Sequence, residues 1–362
     1  MEWDPSCFFC VSGCSSPYAL LVLNQPINES AFEVLSEHGE LDSAKGWPSN
    51  TRTSIHSTVI SAEVHLASFI ICADGGANRL YDMMKTTGKE SINLPDSIVG
   101  DLDSLHPAVR QHYAKLGVEV LQDPDQYSTD FTKCLKYLNK HAAEIVASPR
   151  QTRISPASSK EIANANNLSR RPTSDSALDI LILGGLGGRV DQAFSQIHHL
   201  YTMAQTQREF REATSTTHES HNNALKPSVA ASGNLFLISE ESITFILQEG
   251  KNVIHTPATN RPDIDKPVPG ESGSELRESS LKRKRDHGEA WEYFFEENIG
   301  IIPLLGPASI TTHGFEWDVQ DWPTAIGGQL STSNHIRADK VEVETSMPVL
   351  FTVELAQRLK RG

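Results

Sequence analysis

Aspartates follow several short apolar runs in the first half of the chain, at the places where buried strands would end. Four of them are candidates for binding a ligand through their carboxylate oxygens: Asp74, Asp101, Asp103 and Asp130. The carboxyl ends of parallel strands share one edge of a sheet, and ligands bind there in open α/β folds. Carboxylates that converge at such an edge repel one another unless a cation holds them, and oxygen ligands suit Mg²⁺. The pattern predicts a magnesium site, although a single aspartate after a strand is more often a turn former or a helix cap.

A glycine-rich segment, GGLGGR at 184–189, lies between an apolar run and a helical pattern. Gly187 and Gly188 would let backbone amides approach a phosphate, and Arg189 can add a bidentate contact. Asp191 follows two residues later. The segment has neither the Lys-Ser/Thr of a Walker A loop nor the spacing of the dinucleotide fingerprint, so close packing of strand and helix is an equal alternative. Together with the aspartates, it predicts a polyphosphate bound with magnesium.

The elements that would position these residues alternate along the chain. An apolar run, a Gly-Gly turn and a helical pattern follow one another in 65–84 and again in 177–201. Such alternation predicts an α/β domain with a mainly parallel sheet. From residue 234 onward, short apolar runs with turn residues between them predict an antiparallel β-sandwich or barrel.

These patterns divide the chain into an α/β domain at 1–233 and a β domain at 234–362. Segments without apolar periodicity interrupt both domains and are predicted to be polar insertions: 25–60, 141–176, 205–233 and 256–290. The last insertion contains LKRKRD, for which a solvated loop is favoured over a nuclear localisation signal.

Charge and composition narrow the class of protein. The formal net charge of −14 at pH 7 argues against a general nucleic-acid binder, which needs a basic face. The N-terminal MEWDPSCFFC is acidic where a signal peptide is basic, and no apolar span reaches the ~18 residues of a membrane helix. The cysteine run at 7–14 lacks a fourth zinc ligand at a recognisable spacing. We expect a cytoplasmic protein with free thiols that binds neither nucleic acid nor a membrane.

Five motifs occur in the order and context of the eukaryotic thiamine pyrophosphokinases: CADGGANRLYD, GDLDS, PDQYSTDFTKCL, LGGLGGRVDQ and LSTSN. From about residue 64 to the C-terminus, apart from the insertions, the chain resembles that family. The resemblance implies transfer of the pyrophosphoryl group of ATP to the hydroxyl of thiamine, with Mg²⁺, giving thiamine diphosphate and AMP. It also implies an α/β domain followed by a β-sandwich, in a homodimer with active sites shared between subunits.

The resemblance assigns roles to the residues at matching motif positions. Four correspond to catalytic carboxylates that hold magnesium and position the pyrophosphate: Asp74, Asp101, Asp103 and Asp130. Five correspond to the nucleotide side: Gly187, Gly188, Arg189, Asp191 and Gln126, the last contacting nucleotide or thiamine. Three correspond to the thiamine-binding segment of the second domain: Ser331, Ser333 and Asn334. Asp101 and Asp130 both remain candidates for accepting the proton of the thiamine hydroxyl.

The sequence does not identify which aromatic side chain stacks on thiamine. The segment after LSTSN is HIRADK, which has no aromatic ring. Trp317 and Trp322 are candidates for stacking on the thiamine rings, and filling the sandwich core or a dimer interface is an equal alternative for both.

Three other functions would each account for part of the sequence. A nucleotide-sugar glycosyltransferase could use the DLD of 101–103 as its metal motif, but the strands after residue 234 show little sign of a sugar-acceptor domain. A non-catalytic thiamine or nucleotide sensor would not need so many carboxylates. A structural scaffold would leave the clustered aspartates unexplained.

Overall fold

The computed structural model describes seven parts of the chain: 1–10, 16–36, 67–147, 177–216, 231, 233–262 and 293–361. The chain forms two compact units. The α/β unit comprises Cys7–Ile246 with Lys360–Gly362, and the β unit comprises Met1–Ser6 with Leu247–Leu359.

The elements are numbered along the chain. The strands are β1 (Glu2–Trp3), β2 (Tyr18–Val22), β3 (Phe69–Ala73), β4 (Ser97–Gly100), β5 (Glu119–Gln122), β6 (Asp179–Leu183), β7 (Leu235–Ile238), β8 (Ser242–Leu247), β9 (Gly250–His255), β10 (Phe295–Ile302), β11 (Ala308–His313), β12 (Trp322–Thr324), β13 (Ser331–His335), β14 (Lys340–Thr345) and β15 (Val349–Leu355). The α-helices are α1 (Glu29–Ser36), α2 (Gly76–Thr86), α3 (Pro107–Lys115), α4 (Asp130–Ala147) and α5 (Val190–Thr216).

The α/β unit is built on a sheet with the strand order β8-β7-β6-β2-β3-β4-β5. The strands from β7 to β5 run parallel, and β8 is antiparallel to β7. Every residue of β2 is buried, as are all but the first residues of β3 and β6. Strands covered on both faces have such continuous apolar sequences, which explains why these three were predicted from apolar runs without alternation. The crossovers run through helices, as parallel pairing requires.

The β unit contains two sheets, one with the order β1-β9-β14-β11-β12 and one with β13-β10-β15. All pairs are antiparallel except that of β1 with β9. Alternate residues of β11 and β14 are buried, which shows that one face of their sheet is covered. The predicted fold class, a mainly parallel α/β region followed by an antiparallel β region, is confirmed.

The domain boundary and the insertions can be compared with the structure in part. The compact α/β unit extends to Ile246, because β7 pairs with β6 and β8 pairs with β7. The described parts of the first three insertions contain α1, the end of α4 and the end of α5. The rest of those segments, except residues 231 and 233, and 263–290 of the fourth lie outside the described residues. Within the part of the chain that the structure describes, no helix is long and apolar enough to cross a membrane.

The cysteines differ in part from the expectation of free thiols. Cys72 and Cys134 are free and fully buried, and burial raises the pKa of both thiols. Such cysteines serve as small apolar core residues rather than as reactive groups. Cys7 is disulfide-bonded, so the expectation is wrong at that position.

Candidate active site

Three of the predicted aspartates come together at the carboxyl edge of the parallel sheet. Asp74 follows β3, Asp101 follows β4, and Asp130 is the first residue of α4. One carboxylate oxygen from each lies within 4.8 Å of the other two. Because β3 and β4 are neighbours in the sheet, their ends bring the first two aspartates together, and the start of α4 supplies the third.

Asp74 is the most constrained member of this three-aspartate cluster. It is 1% exposed, and its φ of 40° lies in the left-handed region that non-glycine residues rarely adopt. Its Oδ2 accepts a hydrogen bond from the Ser104 amide at 3.0 Å. Its Oδ1 is buried and has no hydrogen-bond partner among the described residues. Burial raises the pKa of Asp74 to about 6; the Ser104 amide opposes this shift, and the charges of Asp130 and Asp101 add to it.

The backbone approaches the cluster closely at Gly100. A Cβ at this position would lie 2.6 Å from the Asp74 Cβ and 3.1 Å from Asp130 Oδ1. Any side chain would therefore push the two carboxylates apart or displace their backbone. Asp130 Oδ1 also accepts a hydrogen bond from the Asp101 amide at 3.3 Å, so the end of β4 and the start of α4 are tied directly.

The loop that carries Asp101 is held at both ends. Gln122 Nε2, at the end of β5, donates to the Asp101 carbonyl at 3.0 Å. Asn78 Nδ2 donates to the Ser104 carbonyl at 2.8 Å, and Asn78 Oδ1 accepts from the His106 amide at 3.0 Å. Sequence reasoning assigned Asn78 no role, because its contacts lie 26 and 28 residues along the chain.

Asp103 lies outside the three-aspartate cluster. Its side chain is exposed, and its Oδ1 accepts a hydrogen bond from the Ser104 hydroxyl at 2.9 Å. The intervening Leu102 has a φ of 67°, a left-handed conformation that turns the chain between the two aspartates. The Asp103 amide nevertheless donates to Asp101 Oδ1 at 3.2 Å, so its backbone supports the cluster.

Lys133 lies within the cluster, although sequence analysis gave it no role. Its Nζ is 3.0 Å from Asp130 Oδ1 and 3.5 Å from Asp101 Oδ2, and its side chain is 1% exposed. Burial lowers the pKa of Lys133, but the hydrogen bonds and charges of the two aspartates together raise it above its ordinary value. A signal existed in the sequence, since residues three apart on a helix are neighbours and Asp130 begins α4.

The loop between β5 and α4 is organised by Asp125. Its two carboxylate oxygens accept from the Tyr127 amide at 2.9 Å and from the Ser128 hydroxyl at 2.6 Å. The Ser128 hydroxyl and the Tyr127 amide lower the pKa of Asp125. Gln126, predicted to contact a substrate, is exposed on this loop.

The glycine-rich loop joins β6 to α5, as predicted. Gly187 and Gly188 have φ values of 129° and 67°, which favour glycine. The Arg189 guanidinium donates to both carboxylate oxygens of Asp191, with Nε at 3.0 Å and Nη2 at 2.5 Å. Both side chains are exposed, and the guanidinium lowers the pKa of Asp191. These two predicted residues thus form a pair of their own.

The predicted thiamine-binding residues lie on β13 in the β unit. Asn334 is buried and fastens the backbone of Trp317: its Oδ1 accepts from the Trp317 amide at 3.2 Å, and its Nδ2 donates to the Trp317 carbonyl at 3.0 Å. The indole of Trp317 is 55% exposed, with its ring centroid 5.0 Å from that of His335. Ser333 is exposed and Ser331 is half-buried. The link between Asn334 and Trp317 spans 17 residues and had no local signal in the sequence.

Comparison with known proteins gives matches to two domains of one family. The family descriptions "Thiamin pyrophosphokinase, catalytic domain" and "Thiamin pyrophosphokinase, vitamin B1 binding domain" match residues 61–211 and 280–350. Together these matches cover more than half of the 362 residues. The chain belongs to the thiamin pyrophosphokinase family. The predicted resemblance and the prediction of an enzyme of this family are both confirmed.

Individual members of the thiamin pyrophosphokinase family align over most of the chain. Thiamine pyrophosphokinase of Saccharomyces cerevisiae is 26% identical over 311 residues, covering 79% of this chain and 77% of that protein. Thiamine pyrophosphokinase 2 of Arabidopsis thaliana is 24% identical over 355 residues, covering 96% and 89%. The solved yeast thiamin pyrophosphokinase has a TM-score of 0.60 at 22% identity, covering 98% of this chain and 91% of that one. The Candida albicans structure has a TM-score of 0.59 at 22% identity, covering 98% and 92%.

Replacing Gly100 with alanine tests how closely the backbone packs on the cluster. Because the new Cβ would lie 2.6 Å from the Asp74 Cβ, we expect Gly100→Ala to lower the free energy of unfolding by about 1–3 kcal/mol. Urea unfolding followed by circular dichroism measures this change. Gly328→Ala is the control, because its Cβ would meet nothing closer than 3.5 Å. Equal stability of the two variants would contradict the close approach at Gly100.

Proposed function

We propose that this protein transfers the pyrophosphoryl group of ATP to the hydroxyl of thiamine, giving thiamine diphosphate and AMP, with Mg²⁺ as cofactor. The observation that carries the proposal is the convergence of Asp74, Asp101 and Asp130 in a chain of the thiamin pyrophosphokinase family. Family membership supports ATP and thiamine as the substrates, and relatives from yeast and plants are named as thiamine pyrophosphokinases.

The three-aspartate cluster fits a magnesium ion. Its donors are carboxylate oxygens, the ligands that Mg²⁺ prefers. The buried Oδ1 of Asp74 has no hydrogen-bond partner in the described ranges, and coordinating the ion would satisfy it. Asp74, Asp101 and Asp130 would therefore hold it, and Asp103 is proposed at the exposed rim of the same site. A bound Mg²⁺ supplies charge neutralisation for the phosphates.

The chain's own residues would orient the reactants and accept a proton. The thiamine hydroxyl oxygen bonds to the β-phosphorus, and the bond from that phosphorus to the α,β-bridging oxygen breaks, so that AMP leaves with this oxygen. The hydroxyl proton passes to a carboxylate, for which Asp101 and Asp130 are the candidates. The Lys133 ammonium holds both carboxylates in place, because its Nζ lies 3.0 Å from Asp130 Oδ1 and 3.5 Å from Asp101 Oδ2.

The nucleotide side is proposed to include the glycine-rich loop and the loop after β5. Amides at Gly187 and Gly188 can approach phosphate oxygens, since neither residue has a side chain to block them. Arg189 would exchange its exposed partner Asp191 for a phosphate, which offers the same bidentate geometry. Gln126 is exposed and able to contact either substrate.

The thiamine side is proposed on β13 and the adjoining Trp317. Thiamine is a cation with two aromatic rings, so an exposed indole with a fixed backbone is a suitable stacking surface. Trp317 meets this description, whereas Trp322 is only half-exposed within β12. Asn334 would act by positioning Trp317, and Ser331 and Ser333 would contact the ligand. The homodimer with shared sites and the cytoplasmic location stay predictions.

The products of one reaction test the proposed function. With ATP, thiamine and Mg²⁺, we expect equal amounts of AMP and thiamine diphosphate by chromatography, and no product after EDTA treatment. The double variant Asp101→Asn/Asp103→Asn should lose at least about a hundredfold in rate, since both carboxylates are proposed at the metal site. Asp82→Asn, an exposed aspartate on α2, is the matched control. Formation of ADP and thiamine monophosphate would contradict pyrophosphoryl transfer, and full activity of the double variant would remove both aspartates from the site.

Thiamine affinity tests the role of Trp317. We expect Trp317→Ala to raise the KM for thiamine about 3- to 30-fold through loss of the cation–π contact, and Trp317→Phe to restore most of the affinity. The melting temperature should change little, because the indole is 55% exposed. Leu305→Ala, which removes another exposed apolar side chain of the β unit, serves as the control. An unchanged KM in Trp317→Ala would show that thiamine does not stack there.

A further inference from the structure

Lys133 is a buried cation inside a site proposed to hold another cation. Its ammonium contacts Asp130 Oδ1 and Asp101 Oδ2, and its side chain is 1% exposed. An ammonium is removed from water at considerable cost, which only close opposite charges offset. The carboxylates of Asp101 and Asp130 therefore hold the Lys133 ammonium in place, and its positive charge stabilises them in turn.

Lys133 contacts oxygens of two of the three clustered aspartates, but not those of Asp74. The ammonium satisfies one oxygen of Asp130 and approaches one of Asp101, whereas no described residue donates a hydrogen bond to the buried Asp74 Oδ1. A divalent ion bound near Asp74 would share the other two carboxylates with the ammonium, because the three oxygens lie within 4.8 Å. Two cations on the same carboxylates repel each other strongly at such distances.

We propose that Lys133 is the resident counter-ion of the three-aspartate cluster and weakens divalent-cation binding until the phosphates of the nucleotide arrive. This inference rests on the metal site of the proposed function. Without a bound divalent ion, the ammonium relieves the repulsion among the three carboxylates, which would otherwise destabilise the fold. When a polyphosphate enters, its negative oxygens pair with the divalent ion and with the ammonium, so both cations can stay.

The arrangement has a functional consequence. A site that held Mg²⁺ tightly on its own would fill before the nucleotide bound, and the ion would keep a fixed set of ligands. A site already partly neutralised by Lys133 favours the ion that arrives with phosphates, whose oxygens are the usual companions of Mg²⁺ in nucleotide sites. Lys133 thereby favours binding of Mg²⁺ together with the nucleotide over binding of Mg²⁺ before it.

Manganese binding tests the inference directly. Free Mn²⁺ is measured by electron paramagnetic resonance at pH 8, first without nucleotide and then with a non-hydrolysable ATP analogue. We expect Lys133→Met to bind Mn²⁺ at least about tenfold more tightly than the native protein without nucleotide, because a competing charge is gone. With the analogue the difference should shrink or reverse, since the variant lacks the ammonium that pairs with phosphate.

Two further variants keep the test decisive. Lys133→Gln retains a polar side chain and makes the same comparison if Lys133→Met does not fold. Lys136→Met, one turn later on α4 and 62% exposed in its side chain, should bind Mn²⁺ as the native protein does. Unchanged or weaker binding by both Lys133 variants, with normal binding by the native protein, would overturn the counter-ion role and leave the metal site standing. If no form binds Mn²⁺ with or without the analogue, both the metal site and this inference are wrong.

Discussion

Repulsion among carboxylates at one edge of the parallel sheet is the constraint on which this site depends. Asp74, Asp101 and Asp130 lie too close together to be stable as independent charges, so the fold must hold them in place. The holding contacts are short and specific: the Ser104 amide on Asp74, the Asp101 amide on Asp130, and the Lys133 ammonium between Asp130 and Asp101. Gly100 makes the approach possible by leaving no side chain in the way. Asp74 is the strained member of the cluster: its backbone is left-handed, and its buried Oδ1 has no hydrogen-bond partner in the described structure.

This arrangement explains why residues that do not face a ligand matter to the site. Asn78 and Gln122 each hold one part of the Asp101 loop by hydrogen bonds to its backbone. Asn334 does the same for Trp317 in the β unit, with hydrogen bonds to both the amide and the carbonyl. In each case an amide side chain fixes a loop, and that loop carries a residue proposed to bind the metal ion or a substrate. Preorganised loops of this kind reduce the entropy lost when a ligand binds.

The sequence predicted the sheet and the aspartate cluster for the same physical reason. Strands β2, β3 and β6 are buried on both faces and so appear as apolar runs, and parallel strands bring their carboxyl ends to one edge. Helix α1 was missed because it is only eight residues long and lies at the start of a segment without sustained apolar periodicity. The exposure of Asp103 was not predicted, because it follows from the left-handed turn at Leu102.

Burial and long-range partners account for what the sequence could not predict. Lysine is normally a surface residue, so the spacing of Lys133 from Asp130 was compatible with an ordinary exposed helix pair. Asn334 was predicted to belong to the thiamine-binding segment, and its side chain bonds to the backbone of Trp317, which lies 17 residues earlier. Contacts of that kind depend on how strands pair, and strand pairing is fixed by the whole unit rather than by local sequence.

The most direct test of this account is to locate the divalent ion. Crystals grown with Mn²⁺ and a non-hydrolysable ATP analogue would show the ion by its anomalous scattering. We expect a peak within coordination distance of carboxylate oxygens of Asp74, Asp101 and Asp130, with phosphate oxygens among the other ligands. A Mn²⁺ ion bound to the phosphates but to none of these three aspartates would contradict it.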